Sequence, residues 1–463
     1  MTIEFNPTPE QESIISPEIW ESSIITASAG SGKTSTIIRR AINQIEFINN
    51  SQPWKHVAII SYTNRSKDDI RKQVKKLNGQ NIISSTFHAF IIKHIFSFTS
   101  LFRNKEVSFN FNHTVATKID WCNYIKDNGK IPKTQMQHRD YFFEYALYLI
   151  RNNKNIQRYL KVKFIAIYID EAQDNNEFQY NIVDEIIDLG IQVVMVGDPN
   201  QTIYQFRGSE SDRFKNLSNN FRFRKSFYLK RNFRCNELIN QCANSYKTPK
   251  YDIVDYKNKG HGVFVRDSKS FYKVMNYFKK QQREGLAFLM RGFKGFRNEY
   301  NRKIVECYNL PIIAQPEIVS SSSTPYYLDM LFRLYFGGSK EEIEYIENLM
   351  PETKRSVARN VIKSLKDTPS IYNIQELNKL VGLYSEEDFE EIMNTFNSLE
   401  ADRFYNISST LSFAMTIHSA KGLEFNNVVM ISNDFNSLNT EQDRNLFYVG
   451  CTRAKNRLFF MAD

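Results

Sequence analysis

The 463-residue chain lacks several features that would fix its class at once. Its five cysteines (Cys122, Cys235, Cys242, Cys307 and Cys451) are scattered, odd in number and nowhere spaced as CxxC. That argues against a disulfide framework or a structural zinc site, and for a reducing compartment. No apolar run approaches the roughly 20 residues that a membrane span needs. The N-terminal MTIEFNPTPEQES has neither the basic nor the apolar region of a signal peptide. A cytoplasmic protein with no membrane contact is expected. Internal repeats and low-complexity tracts are also missing, apart from the serine run in VSSSSTPYY.

What is present is basic and aromatic. The formal charge is +10, the pI is near 9.1, and there are 36 Phe and 25 Tyr. Lysine and arginine neutralise phosphates and rings stack on bases, so this composition suits nucleic acid. On composition alone, a basic protein with large cores is an equal reading. The length allows two or more domains, each with its own core.

The stretch SSIITASAGSGKTSTIIRRAINQI reads as a short apolar strand, a small-residue turn, then a helix with apolar residues at helical spacing. A phosphate loop requires that context. Across Ala27, Ser28, Ala29, Gly30, Ser31, Gly32, Lys33, Thr34 and Ser35, the two glycines let the backbone approach an anion and the helix-opening amides point at it. Lys33 brings a point charge to the outer phosphates, and the Thr34 hydroxyl is a magnesium ligand. Ala27 stands where many such loops have a first glycine, a position that has only to be compact.

A second element, KVKFIAIYIDEAQDNN, runs as an apolar β-branched strand into Asp170-Glu171. Two carboxylates then lie at the C-terminal edge of a strand, where open α/β sheets bind ligands. Asp170 would hold magnesium and Glu171 would orient or deprotonate the attacking water. Together the two elements predict hydrolysis of a nucleoside triphosphate, with ATP and Mg2+ as cofactors.

DEAQD followed by VVMVGDPNQTIYQFRGSE resembles motifs II and III of the UvrD/Rep/PcrA helicases, the superfamily 1A DNA translocases. The other motifs follow in that family's order: NPTPEQ, AIISYTNRSKDDI, STFHAF, LKRNFRCNELI, MTIHSAKGLEFNNVVMI and NLFYVGCTRAKNRL. The match runs from residue 6 to residue 458. The resemblance implies that Gln11 reads the adenine edge and that Gln201 senses the γ-phosphate. It implies that Arg234 and Arg453 reach that phosphate from a second motor domain as permanently charged planar donors. Phe233 would stack on adenine, where the family commonly has tyrosine, and Glu424 would contact the ribose. Arg291 matches a further family arginine. Thr63, Asn64, Phe87, His88, Tyr204, Phe206, Arg207 and His418 match DNA-contacting positions, with Phe206 replacing a common tryptophan. Any single one of Thr63, Asn64, Phe87, His88 and His418 could instead be a core aromatic or a cap.

The fold implied is α/β: two RecA-like P-loop domains with parallel sheets, each interrupted by a mainly helical insertion. The first domain takes residues 1–88 and 161–208, around a basic helical insertion at 89–160. The second takes 209–324 and 406–463, around an acidic helical insertion at 325–405. The first insertion holds eleven Lys/Arg against five Asp/Glu, and the second fifteen Asp/Glu against nine Lys/Arg. The second is much shorter than its counterpart in the family, and its charge would repel a duplex. The chain ends ten residues after Arg453, and no fused nuclease is expected.

Two functions remain open on the sequence. One is a motor that translocates 3′ to 5′ on single-stranded DNA and unwinds or remodels DNA. The other is an NTPase that senses DNA ends or single strands and licenses a partner nuclease. Short chains of this kind are similar to the helicase-like subunits of the Gabija anti-phage system, which act with a separate nuclease. The compact acidic insertion favours the second.

Overall fold

The computed structural model describes residues 5–62, 64–99, 108–134, 141–203, 211–245, 256–258, 261–281, 284–292, 299–313, 325–336, 352–381, 388–406, 411–435 and 438–462. Three strands open the chain, β1 (Ser23–Ala27), β2 (His56–Ser61) and β3 (Ile82–Thr86). Next come β4 (Ser108–Val115) and β5 (Lys130–Thr134), which pair only with each other, then β6 (Phe164–Ile169), β7 (Gln192–Gly197) and β8 (Lys225–Leu229). The second half contributes β9 (Tyr256–Asn258), β10 (His261–Asp267), β11 (Ala287–Met290), β12 (Phe413–Thr416), β13 (Phe425–Ile431) and β14 (Ala454–Ala462).

Two six-stranded sheets result, in the orders β3-β2-β6-β7-β1-β8 and β12-β11-β13-β14-β10-β9. Every pairing in the first is parallel, and in the second only β9–β10 is antiparallel. Side chains alternate between faces along a strand, and both faces of each sheet are covered. In the first sheet Ile24, Ala58, Ile60, Ile167, Ile169, Val193 and Met195 enter one apolar cluster, while Ile25, Val57, Ile59, Ala166, Tyr168, Val194 and Val196 enter the other. In the second, Phe288, Val429 and Phe459 face one way and Leu289, Val428 and Leu458 the other. Four buried layers follow from this period-two pattern, two for each sheet. The two parallel-sheet α/β units are those expected of a pair of RecA-like domains.

Two sequence expectations shift. β8 lies beyond the 208/209 boundary, yet it pairs in parallel with β1 and closes the first sheet. Its sequence, KSFYL, is short and half exposed, as an edge strand can be, and that hid it from pattern reading. The insertion at 89–160 is largely helical but also carries the parallel β4–β5 pair. There the alternation SFNFNHTV has the period of a strand. The described part of 325–405 consists of the helices Pro325–Phe336, Glu352–Asp367, Ile371–Val381, Asp388–Phe396 and Leu399–Tyr405. Among the described residues, no helix is long and apolar enough to cross a membrane.

Candidate active site

The order of the first sheet brings the ends of β1, β6 and β7 side by side. The turn after β1 leads into the helix Lys33–Asn49. Ala27 is the last residue of β1, 1% exposed inside the apolar cluster, so a compact side chain is what the position requires. Gly30 and Gly32 have φ of +70° and +76°, the left-handed region that favours glycine. A Cβ on Gly30 would lie 2.6 Å from Asn232 Oδ1 and 2.7 Å from Arg234 Cβ, because residues 230–234, leaving β8, press against the turn. Ser28 N–H donates to Leu229 O, and Phe233 N–H to Gly30 O at 2.8 Å. Ser35 donates to Gln73. The Ser31 hydroxyl is buried with no hydrogen-bond partner among the described residues.

Lys33 opens the helix with its ammonium 2.7 Å from Glu171 Oε1. Burial opposes the lysine's charge, but Glu171, Asp170 and Asp198 outweigh it and its pKa is raised. Thr34 Oγ1 donates to Asp170 Oδ2 at 3.0 Å. Burial and the charge of Glu171 push the Asp170 carboxyl up. Glu171 is also buried, yet Lys33 and then Lys421 draw its pKa down, so Glu171 ionises before Asp170. Glu171 itself sits at φ +54°, a left-handed conformation for a residue with a side chain, and such strain gathers at functional sites.

The turn fits a nucleoside triphosphate: the opening of a helix, two glycines under close approach, a buried hydroxyl without a partner among the described residues, and the cation of Lys33. Thr34 Oγ1 and Asp170 Oδ2 are the hard oxygen donors that suit magnesium.

From Glu171 a line of hydrogen bonds runs out of the first unit. Gln173 Nε2 donates to Glu171 Oε2 at 2.7 Å, and its Oε1 accepts from Asp198 N–H at 3.1 Å. Asp198 Oδ2 accepts from Gln201 Nε2 at 2.8 Å, and Gln201 Oε1 accepts from the Arg453 guanidinium at 3.4 Å. Gln173 approaches so closely that a Cβ on Gly197 would overlap its Oε1, which accounts for glycine at the end of β7. Arg453 is 1% exposed; burial, and then the neighbouring Arg234, lower its pKa to about 10, which leaves it protonated at neutral pH.

Other bonds tie the second unit to the first. Lys421 donates to Asp174 Oδ2 at 2.6 Å and to Gln201 O at 2.8 Å, and both members of the ion pair are nearly sealed from solvent. The Tyr448 hydroxyl oxygen accepts from Ala29 N–H at 3.0 Å, and Asn445 donates to Thr202 O at 2.9 Å. Sequence reasoning passed over Gln173, Asp174, Lys421, Asn445 and Tyr448 as site residues. All five stand inside quoted motifs, so the signal was present, but their pairing exists only in three dimensions.

Several expected residues are placed differently from their expected roles. Gln11 is 2% exposed; its Oε1 accepts from Thr8 N–H and its Nε2 donates to Ser31 O, so here it braces the turn. Contact with adenine would require it to leave those bonds. Arg234 and Glu424 are joined to each other, Nε to Oε2 at 2.9 Å. Phe87 is 5% exposed in the apolar cluster, edge-on to Phe143 at 5.5 Å, which makes it a core ring rather than a base-stacking one. His88 beside it is exposed and lines a cavity of about 320 Å3 with Tyr62, Asp170 and Asn175. Phe233 is 51% exposed under the Arg231 guanidinium, so its ring is open to a ligand. His418 Nε2 lies 3.2 Å from Ile203 O. Arg291 is taken up by Asp434 and Asp443. Asn64 begins the helix Asn64–Lys76. Thr63, Tyr204, Phe206 and Arg207 lie outside the described residues.

Two parallel-sheet α/β units, a glycine turn beside paired carboxylates, and Arg453 of the second unit bonded to Gln201 of the first are the arrangement of a two-domain P-loop protein. The family described as UvrD/REP helicase N-terminal domain matches residues 7–141 and 135–222, and the UvrD-like helicase C-terminal domain matches 296–462. The chain belongs to the UvrD/Rep helicase family, whose members are ATP-dependent DNA helicases. It is similar to the Gabija protein GajB of Bacillus cereus (strain VD045), 24% identical over 476 residues that cover 95% of this chain and 92% of that protein. It is also similar to the ATP-dependent DNA helicase Rep of Buchnera aphidicola subsp. Schizaphis graminum, 22% identical over 99% of this chain and 93% of that one.

Proposed function

We propose that the protein hydrolyses ATP between its two RecA-like units and uses the cycle to step 3′ to 5′ along single-stranded DNA. One observation carries the reading. The hydrolytic carboxylate Glu171 is wired through Gln173, Asp198 and Gln201 to Arg453 in the other unit. The state of the phosphate and the relative position of the units are thereby coupled, as a ligand-driven hinge requires.

In this reading, Lys33 exchanges Glu171 for the outer phosphates when nucleotide enters. Glu171, released and still ionised, takes the proton of the attacking water. Arg453 and Arg234 supply fixed positive charge where negative charge develops across the cleft. Mg2+, held by Thr34 and Asp170, would contribute Lewis-acid charge to the phosphate oxygens. The exposed ring of Phe233 stacks on the base, and Tyr448 and Asn445 help to register the second unit on the first.

A second reading keeps the chemistry and changes the output: a DNA-end-sensing ATPase that licenses a partner nuclease in anti-phage defence. The similarity to GajB and the small acidic insertion at 325–405 favour it. Both readings require turnover stimulated by single-stranded DNA. Lys33→Ala should abolish turnover by weakening nucleotide binding, whereas Glu171→Gln should leave nucleotide bound and turnover stalled. Steady-state hydrolysis with and without DNA, together with nucleotide-binding titration, checks this. Wild-type turnover in either variant removes the assignment. Strand displacement on a tailed duplex then separates the two readings.

A further inference from the structure

We infer that Lys455 is a positioning residue for Arg234: it holds the Glu424 carboxylate so that the arginine can leave it for the nucleotide. The inference rests on the nucleotide role proposed for Arg234. Glu424 immediately precedes β13 and Lys455 is the second residue of β14. The parallel register Phe425↔Ala454 brings the starts of the two strands together, with Glu424 one residue before that pair and Lys455 one residue after it. Glu424 Oε1 is paired with the Lys455 ammonium and Oε2 with Arg234 Nε, so one carboxylate bridges two cations. Lys455 and Arg234 overcome the effect of burial and hold the Glu424 pKa below its ordinary value.

Arg234 has two anchors and one loose end. Its N–H donates to Asn232 Oδ1 at 2.8 Å, and its Cβ would collide with a Cβ on Gly30, so its stem already rests on the phosphate turn. Two residues on, Asn236 N–H donates to the Lys455 carbonyl at 2.8 Å. Only the guanidinium is turned away from the turn, toward Glu424. In the proposed cycle that side chain rotates away from Glu424 toward the nucleotide. The rotation breaks its bond to Glu424, and without Lys455 it would leave a half-buried carboxylate unpaired. With Lys455 present the carboxylate keeps a cation, and the step becomes an exchange of partners.

The expected effect is modest, because these side chains are 26–42% exposed and partly screened. Lys455→Ala should lower kcat at saturating ATP and single-stranded DNA by about two- to fivefold, and Lys455→Arg should restore it. Adding Glu424→Gln to Lys455→Ala should raise kcat above that of Lys455→Ala alone, since the neutral amide no longer retains the arginine. A merely structural lysine would give no such recovery. Unchanged kcat in Lys455→Ala, or a double variant slower than the single, overturns the inference. Arg234→Ala serves as the control: if it turns over like wild type, the finger role itself fails, whatever Lys455 does.

Discussion

The ion pair Asp174–Lys421 offers a direct perturbation of closure. Its side chains are 1% and 9% exposed, and it joins the first unit to the second. Burial raises the Asp174 pKa to about 6 despite the lysine, and Oδ1 has no hydrogen-bond partner among the described residues. Lys421→Met keeps the apolar stem and removes the charge, which leaves a buried anion at the interface. Breaking a buried pair by removing one partner costs on the order of 3–5 kcal/mol. In the proposed cycle the two units separate and close, so the cost would fall on the closed state and not on the fold. At about 3 kcal/mol the closed population falls roughly 100-fold, and kcat/KM for ATP should fall by up to that factor. The double variant Asp174→Asn with Lys421→Met removes both charges and should recover much of the loss. Protonation of Asp174 also removes the stranded charge. Loss of the lysine raises the Asp174 pKa further, so the deficit of Lys421→Met relative to wild type should be full only above that higher value and shrink as pH falls through it. DNA-stimulated turnover with ATP titrated at several pH values is the assay. Wild-type kcat/KM in the single variant, or a double variant no better than the single, would show that the Asp174–Lys421 pair does not hold the units closed.

Two further outcomes follow from the geometry. Gly197→Ala places a methyl against Gln173 Oε1 and Phe214 Cζ at the end of β7. A loss of about 1–3 kcal/mol in thermal unfolding is expected, with slower turnover as Gln173 is displaced from Glu171; an unchanged Tm and rate would contradict it. Lys126→Glu with Lys130→Glu, in the basic insertion, should weaken DNA binding and reduce the slope of log affinity against log salt by about one to two. A parallel slope would exclude that insertion from phosphate contact.

The site was legible wherever chemistry and context share one short segment. The strand, turn and helix around Lys33 and the strand ending in Asp170-Glu171 can be read in order along the chain. The structure sets Thr34 against Asp170 across 136 residues of sequence. Pairing across the cleft was not legible, because Lys421 and Asp174 lie 247 positions apart and nothing local marks them as partners. Phe87 shows another limit. In STFHAF its ring could serve a base or a core, and only the helix Phe87–His94, which buries Phe87, Phe90 and Ile91 together, decides for the core. Likewise β8 escaped because an edge strand with one neighbour needs no strong apolar alternation.

In the proposed mechanism Arg453 acts on the nucleotide across the cleft and not on DNA. Arg453→Ala tests it when turnover and DNA affinity are measured on the same preparation. A lone arginine finger contributes roughly 10³–10⁵ in rate, and two that share the task contribute less each. In Arg453→Ala, kcat should fall by at least about tenfold while affinity for single-stranded DNA stays within about twofold. Normal hydrolysis with lost DNA binding would contradict it.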